Sequence, residues 1–389
     1  MTALALAFVS PALAVASGSA PSPQVVATVT VGTQPWGVAI TPDGSRAYVG
    51  NSGSTFVSVI DMRTFTVIES ITTGSSTNPA GVAISPDGSK IFVTNYGSFS
   101  VSVISGSTAT SHPIGCINPL SVAMRFDGAG IYVACGDGRL RYMANAAGYA
   151  NSTVAANTGT ASGVAILPRD VDLLYTMVGS SPTLHRTAEA SLVSLPGQPN
   201  AVATDSIGTR AYVVDASGSL SSVRLAAWPG IEYSSSIGGE LTSIAISADD
   251  RYAYVTDKAN DEVKVFDLLT RSVVATVPVG GGPQRIVLSP DGRKALVTNN
   301  LTNTVSVIDI PARQVFGDDV PSAPLQQFAT SANSQCLSQP EDLIDFPALA
   351  RLRDNYWGLS WAQWPNGGTG GFVCTRQPYY TSANTWSAE

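Results

Sequence analysis

Histidine and charge are scarce in this chain of 389 residues, and their scarcity argues against several kinds of function. The two histidines, His112 and His185, each lack a second potential ligand at a usable spacing, which nearly excludes a zinc or copper site built from imidazole. Charged residues make up 13% of the chain, the net charge is −7 and there is no basic run. This composition argues against a partner made of nucleic acid.

Several catalytic and cofactor motifs are also missing. The sequence has no phosphate loop, no dinucleotide-binding fingerprint and no haem-attachment motif. It has no Gly-x-Ser-x-Gly elbow, although sequence alone leaves a Ser-His-Asp arrangement open. We therefore predict no cofactor and no bound metal.

Apolar runs of membrane-spanning length are absent as well, and the longest apolar stretch lies at residues 3–16. This stretch ends in two small-x-small patterns, Ala12-Leu13-Ala14 and Ala14-Val15-Ala16, which are typical of signal-peptide cleavage, although a basic n-region is missing. We predict a signal peptide at 1–16, a linker at 17–24, and a protein that is secreted or held at the cell surface with no transmembrane segment after cleavage. The alternative is an apolar N-terminal strand.

Cysteine is limited to four residues, which in an exported chain predicts two disulfides. Cys116 and Cys135 flank two predicted strands, and Cys336 and Cys374 both lie near the C-terminus. Local pairing, Cys116 with Cys135 and Cys336 with Cys374, is the simplest of the three connectivities. Free or metal-bound thiols are the alternative.

Glycine, valine and serine are plentiful, and they are arranged in a repeating unit that is clearest at residues 78–104. Pro86-Asp87-Gly88 predicts a tight turn, because proline presets φ, aspartate bonds nearby amides and glycine accepts a positive φ. Apolar segments on both sides, and the alternating VSVI at 101–104, predict a meander of short antiparallel strands.

The same unit occurs seven times. Six intervals separate Asp43 from Asp291, so the period is about 41 residues, as expected for four-stranded propeller blades. A segment of the second-strand type follows each turn, and the seven segments read RAYVGN, KIFVTN, GIYVAC, DLLYTM, RAYVVD, YAYVTD and KALVTN. Because one such sheet cannot bury both of its faces, the pattern predicts seven blades stacked around an axis.

The copies at 79–104 and 283–309, with PDG, VTN and VSVI in register, resemble the YVTN-type β-propeller repeat. The resemblance covers about residues 25–316 and implies an all-β, seven-bladed propeller of four-stranded antiparallel blades. It specifies the fold well and a function hardly at all. Propellers of this kind include lactone hydrolases and redox subunits.

The ends of the repeat array predict how the ring closes. Residues 25–32, VVATVTVG, match the last strand of a repeat at 273–280, VVATVPVG, but they precede the first repeat. The seventh repeat loses the pattern after its third strand. We therefore predict that the N-terminal strand completes the seventh blade, with Thr28 beside residues 305–308, so that the domain spans 25–316.

A second, small module is predicted at 336–389, after a linker at 317–335. It holds four of the six tryptophans, and its YWGLSWAQW and FVCTRQPYY segments read as a β-hairpin joined by a glycine-rich turn. Trp357, Trp361 and Trp364 could stack on sugar rings of a cell-wall glycan or bind a protein partner. An equally physical reading is that a disulfide-tied module of this size needs its tryptophans as a core.

The mouth of the central channel is the predicted ligand site, because loops and inner strands converge there. Trp36 and Arg285 stand out, since other repeats place alanine, leucine or asparagine at the start of the first strand. The others end second strands, where Asn and Asp are more often turn formers than ligand contacts. The candidates are Trp36, Asn51, Asn95, Asp257, Arg285 and Asn299.

The sequence thus favours an exported binding scaffold over an enzyme. The alternative is a lactonase-like hydrolase, which would need carboxylates and an asparagine converging on a cation at the channel mouth. The first two repeats offer no acid at their inner positions.

Overall fold

The chain forms two compact units, Met1–Ala312 and Arg313–Glu389. The computed structural model describes residues 22–74, 77–156, 160–168, 173–187, 193–225 and 229–311, and four strands between 326 and 376. The predicted signal peptide at 1–16 lies outside these residues. In the part of the chain described, no helix is long and apolar enough to cross a membrane.

The first unit is a ring of seven four-stranded antiparallel sheets, of which the first six are each made from one repeat. The first three blades are made of β2 (Pro35–Ile40), β3 (Arg46–Asn51), β4 (Phe56–Asp61) and β5 (Thr66–Thr72); β6 (Pro79–Ile84), β7 (Ile91–Asn95), β8 (Ser100–Ser105) and β9 (Thr108–Pro113); and β10 (Pro119–Met124), β11 (Gly130–Cys135), β12 (Arg139–Ala144) and β13 (Asn151–Ala156).

The next three blades continue in the same order. They are made of β14 (Thr160–Ile166), β15 (Leu173–Val178), β16 (Thr183–Arg186) and β17 (Val193–Ser194); β18 (Pro199–Thr204), β19 (Arg210–Asp215), β20 (Ser219–Arg224) and β21 (Gly230–Ser236); and β22 (Leu241–Ile246), β23 (Tyr252–Asp257), β24 (Glu262–Asp267) and β25 (Ser272–Pro278).

The seventh blade joins the two ends of the ring. It contains β26 (Pro283–Leu288), β27 (Lys294–Asn299) and β28 (Thr304–Asp309), and β1 (Gln24–Thr30) pairs antiparallel with β28 as its outer strand. Thr28 lies opposite Ser306. The predicted fold class and the predicted closure by the N-terminal strand are both confirmed.

Tight turns connect the first and second strands of the blades. In the first turn the Asp43 carboxylate accepts hydrogen bonds from the Thr41 hydroxyl, 2.5 Å away, and from the amide and hydroxyl of Ser45. These bonds, led by the one from Thr41, lower the pKa of Asp43 to about 2. Gly44 has a φ of 71°, a conformation that glycine adopts without strain. The sequence motif therefore forms the turn that it predicts.

The hydrophobic core lies between blades. Among the described residues, buried apolar side chains form seven clusters, each shared by two consecutive blades. Between the first and second blades, Tyr48 and Val59 pack with Val93 and Ile104. At the closure, Val29 of β1 packs in a cluster with Val305, Val38 and Val49. A single blade therefore has no core of its own.

The predicted disulfide between Cys116 and Cys135 is present. It joins the loop before the third blade to the end of β11, across a sequence separation of 19 residues. Closing a loop of this length stabilises a protein by about 3 kcal/mol in the chain-entropy account.

The second unit contains one four-stranded antiparallel sheet in the order β29-β30-β32-β31. The strands are β29 (Gln326–Ser331), β30 (Ser334–Ser338), β31 (Leu359–Gln363) and β32 (Thr369–Arg376). The register places Cys336 opposite Cys374. A disulfide between them stays a prediction. Trp361 lies in β31, whereas Trp357 and Trp364 lie outside the described residues.

Ring closure can be tested with two valines on the same strand. Val29→Ala removes two methyl groups from the cluster between the last and first blades, where Val29 is 5% exposed, and we expect a loss of about 2 kcal/mol in the free energy of unfolding. Val26→Ala is the control, because Val26 is 46% exposed and its replacement should change stability by less than about 0.5 kcal/mol. Urea unfolding followed by circular dichroism measures both, and equal effects would contradict this role of β1.

Candidate functional site

The seven first strands form a closed inner ring. Each packs against the first strand of the next blade, and β26 packs against β2 to complete the circle. Because the strands alternate in direction, the loops before the first strands and the loops between second and third strands lie at one end of this ring. We call this end the mouth face. All six candidate residues lie at or next to it.

Three asparagines at the ends of second strands are buried inside their own hairpins. Asn51 donates from Nδ2 to the Ser58 hydroxyl and to the Phe56 carbonyl, both at 3.0 Å. Asn95 donates to the hydroxyls of Ser100 and Ser102. The Asn299 amide contacts the equivalent hydroxyls of the seventh blade in either amide orientation. The asparagine that ends the YVTN pattern therefore holds the second and third strands together through its side-chain hydrogen bonds.

Asp257 occupies the same position in the sixth blade and forms an ion pair there. Its carboxylate lies 2.7 Å from Lys264 Nζ, and both side chains are buried. Burial by itself would raise the pKa of Asp257, but hydrogen bonds from Lys264 and Asn260 outweigh it, so the pKa is lowered. Lys264 also donates to the carbonyls of Ile237 and Gly238. The charges of both residues are therefore paired and hydrogen-bonded within the protein.

In the first and seventh blades, a glycine in the loop before the blade makes room for the buried asparagine. A Cβ added to Gly32 would lie 2.6 Å from the Asn51 side chain, and one added to Gly280 would lie 2.7 Å from Asn299 Nδ2. Cys116 precedes Cys135 by the same interval of 19 residues. The disulfide thus replaces, in the third blade, the glycine–asparagine contact of the first and seventh. Sequence reasoning missed this equivalence, although aligning the seven copies would reveal it.

Trp36 and Arg285 come together where the last blade meets the first. The Arg285 guanidinium carbon lies 5.8 Å from the centre of the Trp36 ring, within the range of a cation–π contact. Arg285 Nη1 also donates to the Thr242 carbonyl of the sixth blade at 2.9 Å. The guanidinium therefore contacts the inner strand on each side of its own, near the mouth end of the inner ring.

Strand pairing shows that Arg285 is an exception within the repeat. Pro35 and Pro283 are equivalent, since they lie opposite Asn51 and Asn299, so Trp36 occupies the second position of its strand and Arg285 the third. The other blades place small residues at the third position, namely Gly37, Gly81, Ser121, Gly163, Ala201 and Ser243. A side chain added at Gly37 or Gly81 would collide with the backbone of the next inner strand. Only the seventh blade accommodates a long side chain there.

The charge of Arg285 has no partner among the described residues. No carboxylate forms an ion pair with it, and burial lowers its pKa to about 10, so it stays charged at neutral pH. The side chain is half-buried, and its nitrogens are not sealed from solvent. Trp36 Nε1, in contrast, is closed off from solvent and has no hydrogen-bond partner in the described part of the chain. The pair presents a positive charge on an aromatic wall, an arrangement suited to binding an anion.

Threonines that sequence reasoning did not select hold this pair in place. The Thr298 hydroxyl donates to the Trp36 carbonyl at 2.7 Å and accepts from the Arg285 amide. The Thr242 hydroxyl bonds the Pro283 carbonyl at 2.8 Å. Thr298 is the third letter of the VTN segment, and Thr94 makes a similar bond to the Leu120 carbonyl of the third blade. The motif was visible in the sequence, but its role in linking adjacent blades was not.

Possible metal ligands among the described residues form one cluster, which lies at the mouth face beside the third blade. Cys116, Cys135 and Asp137 lie close enough to share an ion, but the two sulfur atoms are bonded to each other. The seven inner strands carry no aspartate or glutamate.

Comparisons with known proteins identify the fold. Residues 234–324 match the YNCE-like beta-propeller family, a YVTN-type propeller family, so the resemblance predicted from the sequence is confirmed. No curated protein matches the chain.

Two solved structures are similar in fold. A chain of Kuenenia stuttgartiensis hydrazine synthase is 20% identical, with a TM-score of 0.64, over 72% of this chain and 97% of that one. The Cps50 (Swd1) beta-propeller domain of Myceliophteria thermophila is 12% identical, with a TM-score of 0.62, over 74% and 100%. At these identities the similarity concerns the fold alone.

The asparagine contacts predict a purely structural effect. Asn95→Ala leaves the hydroxyls of Ser100 and Ser102 without this donor, and we expect unfolding to become easier by about 2 kcal/mol. Tyr96→Phe is the control in the same loop, because Tyr96 is 41% exposed and its hydroxyl takes no part in these hydrogen bonds. Chemical denaturation measures both variants, and an Asn95→Ala protein as stable as the wild type would contradict this role.

The unpaired charge predicts that Arg285→Ser is stabilising. Because the folded-state pKa is lowered, the charged form costs stability below pH 10, and this cost disappears as the pH rises through the folded and then the unfolded pKa. The lowered pKa corresponds to a destabilisation of about 3 kcal/mol in the wild type, which the substitution removes. The substitution also loses the hydrogen bond to Thr242 and the cation–π contact with Trp36, each worth about 1 kcal/mol. We expect a net gain of about 1 kcal/mol at pH 7. Differential scanning calorimetry measures it, and a lower melting temperature would contradict the prediction.

Proposed function

Because the chain is a seven-bladed β-propeller of the YVTN type, we propose that it is a binding protein that takes its ligand at the mouth face. The observation that carries this proposal is the charge of Arg285, which is retained at the channel without a carboxylate partner among the described residues. A structural residue in this position would be small, as in the other six blades. A ligand is the missing partner that makes the arginine favourable.

We propose further that the protein acts outside the cytoplasm, secreted or at the cell surface. The apolar stretch at residues 3–16 with its cleavage patterns supports this location. The disulfide between Cys116 and Cys135 also fits it, because disulfides persist in oxidising compartments. The C-terminal unit would attach the propeller to a protein or a cell-wall glycan through Trp357, Trp361 and Trp364.

The alternative, a lactonase-like hydrolase, has less support. Such an enzyme needs carboxylates that hold a cation at the mouth. The inner strands provide none, and Asp257 is already paired with Lys264.

The proposal can be tested by a ligand screen on the protein purified from the culture medium, whose mature N-terminus is first determined by mass spectrometry. Organic acids, sugars, peptides and lactones are tested by thermal shift, because a ligand that binds only the folded state raises the melting temperature. We expect cleavage after Ala14 or Ala16 and at least one stabilising ligand, with no consumption of the lactones.

Lactone hydrolysis that depends on added calcium or zinc would favour the enzyme instead. A propeller that no compound class stabilises would contradict the binding function. A full-length chain that stays in the cytoplasm would contradict export.

A further inference from the structure

The Arg285 guanidinium uses only part of its hydrogen-bonding capacity. Nη1 donates to the Thr242 carbonyl at 2.9 Å and, more weakly, to the Gln284 carbonyl at 3.5 Å. Nε and Nη2 make no hydrogen bond to any residue that the structure describes, and neither is closed off from solvent. These two nitrogens form one planar edge of the guanidinium, with two parallel N–H donors.

The surroundings hold this edge in one orientation. The Trp36 ring lies against the guanidinium on the side of the first blade, and the bond to Thr242 fixes it on the side of the sixth. The Thr298 hydroxyl bonds both the Arg285 amide and the Trp36 carbonyl, so the two residues are positioned by one side chain. The donors are therefore preorganised, which reduces the entropy lost when a ligand binds.

From this geometry we propose that the channel mouth binds the carboxylate of a small organic acid through the Nε–Nη2 edge of Arg285, with Trp36 as the wall beside it. This inference rests on the proposed binding function and names its ligand class. The two oxygens of a carboxylate match the two parallel donors in a bidentate pair. The single negative charge also matches the single positive charge of the site.

A phosphate dianion fits this site less well. One guanidinium would leave about one negative charge uncompensated, and a charge that is taken out of water without a partner is strongly unfavourable. The chain as a whole also carries a net charge of −7. We therefore expect the site to prefer a carboxylate to phosphate.

Nuclear magnetic resonance of the ¹⁵N-labelled protein tests the proposal directly. The Arg285 Nε–H signal is assigned by its loss in Arg285→Ser, and the Trp36 indole signal by its loss in Trp36→Phe. Sodium acetate is the probe, titrated against sodium chloride and sodium phosphate at equal ionic strength. We expect acetate to shift both signals with saturation, and the other two salts to act at least about tenfold more weakly.

Three variants distinguish binding by the parallel N–H donors of Arg285 from binding by its positive charge alone. Arg285→Lys keeps the charge but loses the parallel donors, and acetate affinity should fall about tenfold. Arg285→Ser should abolish the acetate-induced shift of the Trp36 indole signal. Arg293→Ser is the matched control, because it removes an exposed cation from the same blade and should bind acetate like the wild type.

The proposal is overturned if acetate causes no saturable shift, if chloride or phosphate acts as strongly, or if Arg285→Lys binds acetate as well as the wild type. Its failure can be distinguished from failure of the binding function. Ligands from the screen that stabilise the wild type and Arg285→Ser equally would leave a binding protein without a carboxylate site. If no ligand of any class binds, both proposals fail.

Discussion

Burial of each blade's flanks against its two neighbours is the interaction on which the whole ring depends. All seven clusters of buried side chains in the described part of the chain lie between blades, so no blade has a core of its own there. An open array would leave two apolar flanks and a sheet edge exposed. The strand Gln24–Thr30 removes these exposed surfaces by completing the last blade with residues from the start of the chain. The boundary between the seventh and first blades is therefore packed like the other six boundaries between blades.

One position within the blade shows how a repeat can vary while its function is kept. The end of the second strand must hold the following hairpin and the preceding loop together. Asn51 does so with hydrogen bonds, Asp257 with an ion pair to Lys264, and Cys135 with a covalent bond to Cys116. Three different chemistries satisfy one geometric requirement. Variation at this position therefore carries little information about ligands.

Most of the fold followed from the sequence, because the turn and the strand pattern recur in seven copies, and the displaced N-terminal strand matches the last strand of a repeat. The disulfide between Cys116 and Cys135 followed from spacing. The site was only partly predictable. Trp36 and Arg285 could be selected because they depart from the repeat, but their contact depends on two blades far apart in sequence. The hydrogen bond between Asn95 and Ser102 depends on the register of the two strands, which the sequence motif alone does not specify.

Trp36 lies in the first blade and Arg285 in the seventh, and this location has a consequence for how the protein matures. The two residues are separated by nearly the whole length of the repeat array, and they meet only when the seventh repeat has docked against the first. A nascent chain with six repeats has the tryptophan but not the arginine. The ligand recognition that we propose at this place would therefore require the closed ring, and it would arise in the same step that joins the two ends of the repeat array.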